Sequence, residues 1–219
     1  MCGRFVIELS PGLVAGFFGL TEIPDLPTRY NVAPTQLVPA IREATDGSRR
    51  LSMMRWGLVP SWAKDIGDGL INARSETVSE KPSFRQTVRR RRCIIPASGF
   101  YEWQKVEKLK VPYYLRMVDS SPMPFAGIWE AWCSPDGQVL ESCAILTTSA
   151  NAKVAPIHDR MPVILDPAGF SLWLDRQVHE VDKLAGLFVP YPADRLEAYR
   201  VTMLVNNPAY DDAECIEPL

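Results

Sequence analysis

Short runs rich in apolar, β-branched and aromatic residues, bounded by Gly, Pro, Asp and Ser turn residues, recur along this chain, the pattern of strands. RYNVAPTQLVPAIRE (29–43) and RRLSMMRWGLVP (49–60) carry it on either side of the turn-forming TDGS and predict strands there. RCIIPASGFYEWQK (92–105) and VPYYLRMV (111–118) predict a hairpin around a lysine-rich turn. PFAGIWEAWC (124–133) and VLESCAILTTSA (139–150) predict a second hairpin around SPDG. LEAYRVTML (196–204) reads as a last strand. Helical spacing is rarer. It occurs in SPGLVAGFFGL (10–20), where Ser10 can cap and Pro11 can open the first turn, and in SEKPSFRQTVRR (79–90), whose arginines suit a C-terminal end. DPAGFSLWL (166–174) and HEVDKLAGLF (179–188) complete the expected helices. Strands and helices do not follow the βαβ rhythm of a parallel nucleotide-binding sheet. The expected architecture is α+β: a single domain over residues 1–219, around an antiparallel, barrel-like sheet with short peripheral helices.

Composition narrows the function classes. The chain has 219 residues, 47% of them hydrophobic, which suffices for a substantial core. Nineteen prolines are scattered and mark no linker. No apolar run reaches the ~18–20 residues of a membrane span. MCGRFVIELSPG lacks the charged start and long apolar stretch of a secretory signal, so a cytoplasmic protein with no membrane partner is expected. Five cysteines (Cys2, Cys93, Cys133, Cys143 and Cys215) form no CxxC pair and no cluster with histidine, which argues against a disulfide framework and structural zinc. No metal and no cofactor are expected. A net charge of −2 excludes a bulk polycation, so nucleic acid would have to meet a segregated basic face. The run Arg89 to Arg92 is either part of such a face or a solvated helix end.

Candidate chemistry starts at the second residue. Cysteine is small enough for Met1 to be removed, which would leave Cys2 with a free α-amine and a thiol on adjacent carbons. LINARSET sets Asn72 and Arg74 two apart, on one face if extended. GFYEW holds Glu102 between two aromatic residues, and IHDRMP carries His158, one of only two histidines, ahead of Asp159 and Arg160. Each has an ordinary structural explanation: a turn cap, a solvent-facing strand residue, a satisfied loop histidine. Taken together, an amine nucleophile, a carboxylate and a histidine form a set that condensation with an aldehyde requires.

MCGRF, RYNVAPTQ, RWGLVPSW, INARSET, GFYEW and IHDRMPVIL, in this order, resemble the successive motifs of the SRAP family (SOS-response-associated peptidase), and ECIEPL resembles its ending. The resemblance covers essentially the whole chain. It implies a monomeric protein of the DNA damage response that captures abasic sites in single-stranded DNA, nucleoid-associated on damage if bacterial. By the resemblance, the Cys2 amine condenses with the ring-opened aldehyde to an imine and the thiol closes a thiazolidine. Glu102 handles the amine proton, His158 protonates the sugar oxygen, and Asn72 positions sugar and cysteine. Thr147 lines the pocket, Arg4 and Arg74 grip phosphates, and Trp62 wedges against bases. Ala63 stands where some members carry a second aromatic residue, and Tyr210-Asp211-Asp212 departs from the family's usual turn, so no function is carried onto it.

Two other readings stay open at this stage. An amidohydrolase with an N-terminal nucleophile would also expose Cys2. Its oxyanion hole commonly uses an Asn-Gly pair, which the chain lacks, and it has no need of Glu102 and His158. A non-covalent reader of single-stranded or modified DNA would make Cys2 incidental.

Overall fold

The computed structural model describes residues 2–219. Twelve strands and a few short helices make one α+β domain among them. A helix, α1 (Pro11–Phe18), starts where Ser10 Oγ accepts the Leu13 N–H at 3.3 Å and stops at Gly19, whose φ of 66° is left-handed. The first sheet runs β12 (Leu196–Arg200), β8 (Leu109–Met117), β7 (Gly99–Val106), β1 (Phe5–Ile7), β2 (Arg29–Val32), with every neighbouring pair antiparallel. The second contains β3 (Leu37–Glu43), β4 (Arg49–Trp56), β6 (Arg92–Ala97), β9 (Met123–Cys133), β10 (Val139–Ser149) and β11 (Arg160–Pro162). In it, β10, β4, β3, β6 and β9 pair in turn, and β9 pairs back onto β10, which closes a five-stranded barrel. Closure removes the exposed edges of those strands.

Both expected hairpins form, β7–β8 and β9–β10. The barrel is mixed, because β10 runs parallel to β4 and to the short β5 (Asn72–Arg74). Alternation along single strands carries no information about such crossover pairings. Two expected helices are reduced. In residues 79–90 only α2 (Thr87–Arg90) is α-helical, since Pro82 interrupts the preceding turns, and residues Val181–Leu187 form a 3-10 helix instead of an α-helix. The α-helix α3 (Phe170–Leu174) follows a 3-10 turn at Pro167–Gly169. The last strand ends at Arg200, where a 3-10 turn over Met203–Asn206 begins after Thr202 Oγ1 accepts the Leu204 N–H.

Alternate residues of β1 face two separate clusters. Phe5 and Ile7 of β1 face the barrel, and Val6 faces a second, smaller cluster with Tyr101, Tyr114 and Cys215. Phe5 packs edge-on against Trp56 and Phe125, with ring centroids 5.0 and 5.9 Å away. Truncating an aromatic residue so buried costs ~3–5 kcal/mol. That packing fixes the strand three residues beyond Cys2.

Candidate active site

Strand register brings the N-terminus to Glu102. β1 pairs antiparallel with β7, Phe5 opposite Phe100, and the Tyr101 N–H donates to Arg4 O at 3.0 Å. Continuing that register sets Gly3 opposite Glu102, with Cys2 next to it. Glu102 shares the barrel-facing side of β7 with Phe100, two residues earlier, which is why a carboxylate is 2% exposed there. Burial raises its pKa above the ordinary carboxylate value, and the neighbouring His158 partly offsets this. Cys2 is fully buried. Burial, and second the Glu102 carboxylate, push its thiol pKa well up, and the thiol donates weakly to Arg4 O at 3.8 Å.

Asn72 reaches the same point from the other sheet. Ala73 of β5 is packed in the core, so Asn72 and Arg74 face the opposite way. Asn72 Nδ2 donates to the Cys2 carbonyl at 2.8 Å. Asn72 Oδ1 is buried and has no hydrogen-bond partner among the described residues.

His158 enters on the loop between β10 and β11. Gln104 of β7 holds that loop by donating to Pro156 O at 2.9 Å. The Arg160 N–H donates to His158 Nδ1 at 3.0 Å, so a neutral ring carries its proton on Nε2. Asp159 Oδ1 also lies 2.9 Å from Nδ1, and Nδ1 can donate to it only when it carries a proton itself, in place of accepting from Arg160. The Arg160 guanidinium grips Glu76 through two bonds of 2.6 and 2.8 Å and donates to Thr147 O at 2.6 Å. Thr147 is fully buried and stands opposite Arg74 in the parallel β5–β10 register. A cleft of about 500 Å³ opens over Glu102 and His158, walled also by Trp103, Lys110 and Asn206.

A family model for SRAP, SOS response associated peptidase, matches residues 1–208. The chain belongs to the SRAP family. Among its relatives is "Abasic site processing protein YoqW" of Bacillus subtilis, 44% identical over 99% of both chains. "Abasic site processing protein HMCES" of Rattus norvegicus is 31% identical over 86% of this chain and 64% of its own length. A crystal structure of a Bacteroides thetaiotaomicron protein superposes over 100% of both chains with a TM-score of 0.88 at 26% identity.

In this SRAP chain, Asn72 is hydrogen-bonded to Cys2, Glu102 lies beside Cys2 and shares a cleft with His158, and Thr147 is tied through Arg160 to the His158 loop and stands opposite the exposed Arg74. Trp62 does not join them by any ring contact or hydrogen bond among the described residues. It is 67% exposed on the loop after β4, whose ends are pinned by the Leu58–Leu70 bridge and whose Ala63 carbonyl accepts Trp132 Nε1 at 2.8 Å. Gly57 and Gly69 allow that closure, since a Cβ on Gly69, at φ +73°, would stand 2.3 Å from Gly57 O. Arg4 is largely committed inside the protein: it donates to Asn31 Oδ1 at 2.7 Å, Val205 O at 2.9 Å and Asn206 O at 3.4 Å. Asn31 in turn donates to the carbonyls of Val205, Asn207 and Tyr210. Asp211 accepts from the backbone N–H groups of Tyr30 and Asn31. These bonds latch the C-terminal segment to the strands behind Cys2. Sequence reasoning did not single out Lys110, Asn206, Gln104 or Glu76. Glu76 lay in a motif, INARSET, and Gln104 directly follows GFYEW, two residues from Glu102; Lys110 and Asn206 meet the site from distant positions with no local signal.

Proposed function

We propose that this SRAP protein processes abasic sites in DNA by forming a covalent link between Cys2 and the lesion in a single strand. The observation that carries the reading is the 2.8 Å hydrogen bond from Asn72 to the Cys2 carbonyl, beside a buried carboxylate and a histidine. A thiol used as a nucleophile by itself needs a lowered pKa, and that of Cys2 is raised. A 1,2-aminothiol does not: once the amine has condensed, attack by the thiol is intramolecular and gains from proximity.

Removal of Met1 frees the Cys2 amine. His158, as imidazolium, gives its proton to the ring oxygen of the abasic sugar as the furanose opens, and the C1 hydroxyl gives up its proton to water to leave the aldehyde. The amine adds to the carbonyl carbon, Glu102 carries the amine protons one after the other to the former carbonyl oxygen, and that oxygen leaves as water to give an imine. The thiol then adds across the C=N bond, forming C–S and returning a proton to nitrogen. One water is lost overall. Asn72 holds the cysteine through Nδ2 and offers Oδ1 to a sugar hydroxyl. Thr147 lines the pocket. Arg74 meets a phosphate at the rim, Arg4 adds charge from behind its brace, and Trp62 stacks on a base. The protein acts as a monomer in the cytoplasm. Neither a metal nor a cofactor enters the scheme.

The test is denaturing electrophoresis after mixing with an abasic oligonucleotide. A heat-stable shifted band is expected with the parent and none with Cys2→Ala. Retention of that band in Cys2→Ala, or its absence with both, refutes the covalent reading. Ammonia release from glutamine in place of the band would move the assignment to an amidohydrolase.

A further inference from the structure

A second cleft, of about 610 Å³, lies between the β3–β4 hairpin, the end of α2 and the turn after α3, walled by Arg42, Arg50, Arg90, Arg91, Arg92 and Arg176. A hollow of about 490 Å³ continues it past Arg90 and Arg176 to Gly47 and His179. The pair is remote from Cys2. Arg42 bonds Glu141 at 2.7 Å, and Glu141 stands six positions before Thr147 on β10, about 20 Å at ~3.3 Å per residue.

The six arginines are not equivalent. Arg92 is buried and donates to the carbonyls of Trp173, Val88, Arg89 and Asp175, so it is structural. Arg42, Arg50 and Arg91 pair with Glu141, Asp46 and Glu130. Arg42 and Arg91 also lie over the Trp129 ring, at 4.6 and 5.6 Å. Arg90 and Arg176 are exposed, line both hollows and have no carboxylate partner among the described residues. Glu43 is a carboxylate on the wall of both hollows. Ser52 Oγ, buried at the wall of the larger one, has no hydrogen-bond partner among the described residues. A chain with a net charge of −2 has thus gathered fork-shaped cationic donors into an elongated, two-lobed groove. Guanidinium forks match phosphate oxygens, and two lobes suit successive phosphates better than one isolated anion.

We propose that this groove is a second nucleic-acid site, which holds phosphodiesters of the single strand away from the abasic nucleotide, with Arg90 and Arg176 as its clamp. The proposal rests on the reading of the protein as a single-strand binder. It assigns the groove to affinity and leaves the chemistry at Cys2 untouched.

The test compares the parent with Arg90→Gln/Arg176→Gln on abasic strands of about 5 and about 30 nucleotides, within and beyond a typical single-strand site. Expected are unchanged binding to the short strand, several-fold weaker binding to the long one, and an unchanged crosslinking rate at saturation. The slope of log affinity against log salt on the long strand should become shallower by about 1.4, ~0.7 for each lost phosphate contact. Equal affinity and slope in both proteins, or equal weakening on both strands, overturns the proposal. Binding of inorganic phosphate in the groove without any dependence on strand length also overturns it, in favour of a small-anion site. If the parent forms no crosslink, the active-site reading falls, while a length-dependent loss in the double variant still upholds the groove.

Discussion

Replacing Asn72 with alanine removes the side chain that holds the Cys2 carbonyl at 2.8 Å. A net hydrogen bond contributes ~0.5–1.5 kcal/mol, and leaving the partner carbonyl buried and unsatisfied raises the cost to ~1–3 kcal/mol. For a chain of this length each kcal/mol lowers Tm by about 2–4 °C, so a fall of about 2–12 °C is expected. The effect on reaction should be larger than this. Without Asn72 the Cys2 backbone can shift, and a displacement of ~1 Å costs about 10²-fold in rate. The assay is single-turnover crosslinking to an abasic oligonucleotide, with affinity for the undamaged strand measured in parallel. A slowed reaction with unchanged affinity is the expected result. An unchanged rate accompanied by the expected fall in Tm would reduce Asn72 to a structural residue and refute the positioning argument.

Glu102→Gln should stabilise the fold while slowing the reaction. The Glu102 pKa is raised in the fold, so its contribution to stability is present below the ordinary value of 4.5 and lost as pH rises through the folded value. Melting curves of parent and variant should therefore separate as pH rises through that window, and parallel curves contradict the burial argument. A substrate with a ready-made aldehyde and no furanose ring should rescue His158→Ala but not Glu102→Ala, each mutant otherwise losing ~10²–10⁴-fold in single-turnover rate. Equal rescue of both, or of neither, contradicts the division of roles. Arg74→Ala should weaken single-strand binding and flatten its salt dependence, whereas Trp62→Ala should weaken binding with little change in slope, because stacking releases no counterions. A salt slope altered only by Trp62→Ala reverses those two assignments.

The site was legible where chemistry coincides with local pattern. Asn72 and Arg74 fall on one face because β5 is extended, and Glu102 is buried because it lies two residues from Phe100 on the barrel side. The hairpins were legible for the same reason: TDGS and SPDG sit between strand-forming runs. What was not legible is long-range. The parallel pairing of β10 with β4 completes the barrel and that with β5 carries Thr147 to Arg74, yet no single strand encodes its neighbour. The same holds for the brace of Arg4 on Asn31 and Val205, whose partners are 27 and 201 positions away. The run Arg89 to Arg92 looked uniform in sequence but splits by depth: Arg89 and Arg90 are exposed, Arg91 is paired with Glu130, and Arg92 is buried against carbonyls. Helix content was over-read at 79–90 and 179–188, where apolar spacing fits a 3.6-residue period but the segments wrap the barrel as turns and 3-10 helix.

In the proposed reaction Cys2 uses both its amine and its thiol. Intact mass of the purified protein, alone and after mixing with an abasic oligonucleotide, tests it directly. The protein alone should have the mass of the chain without Met1, and the adduct should equal the sum of protein and oligonucleotide minus one water. The adduct should also resist borohydride, since a closed thiazolidine has no C=N bond to reduce. A chain that keeps Met1 and still forms the adduct, or an adduct that gains two hydrogens with borohydride, contradicts the account.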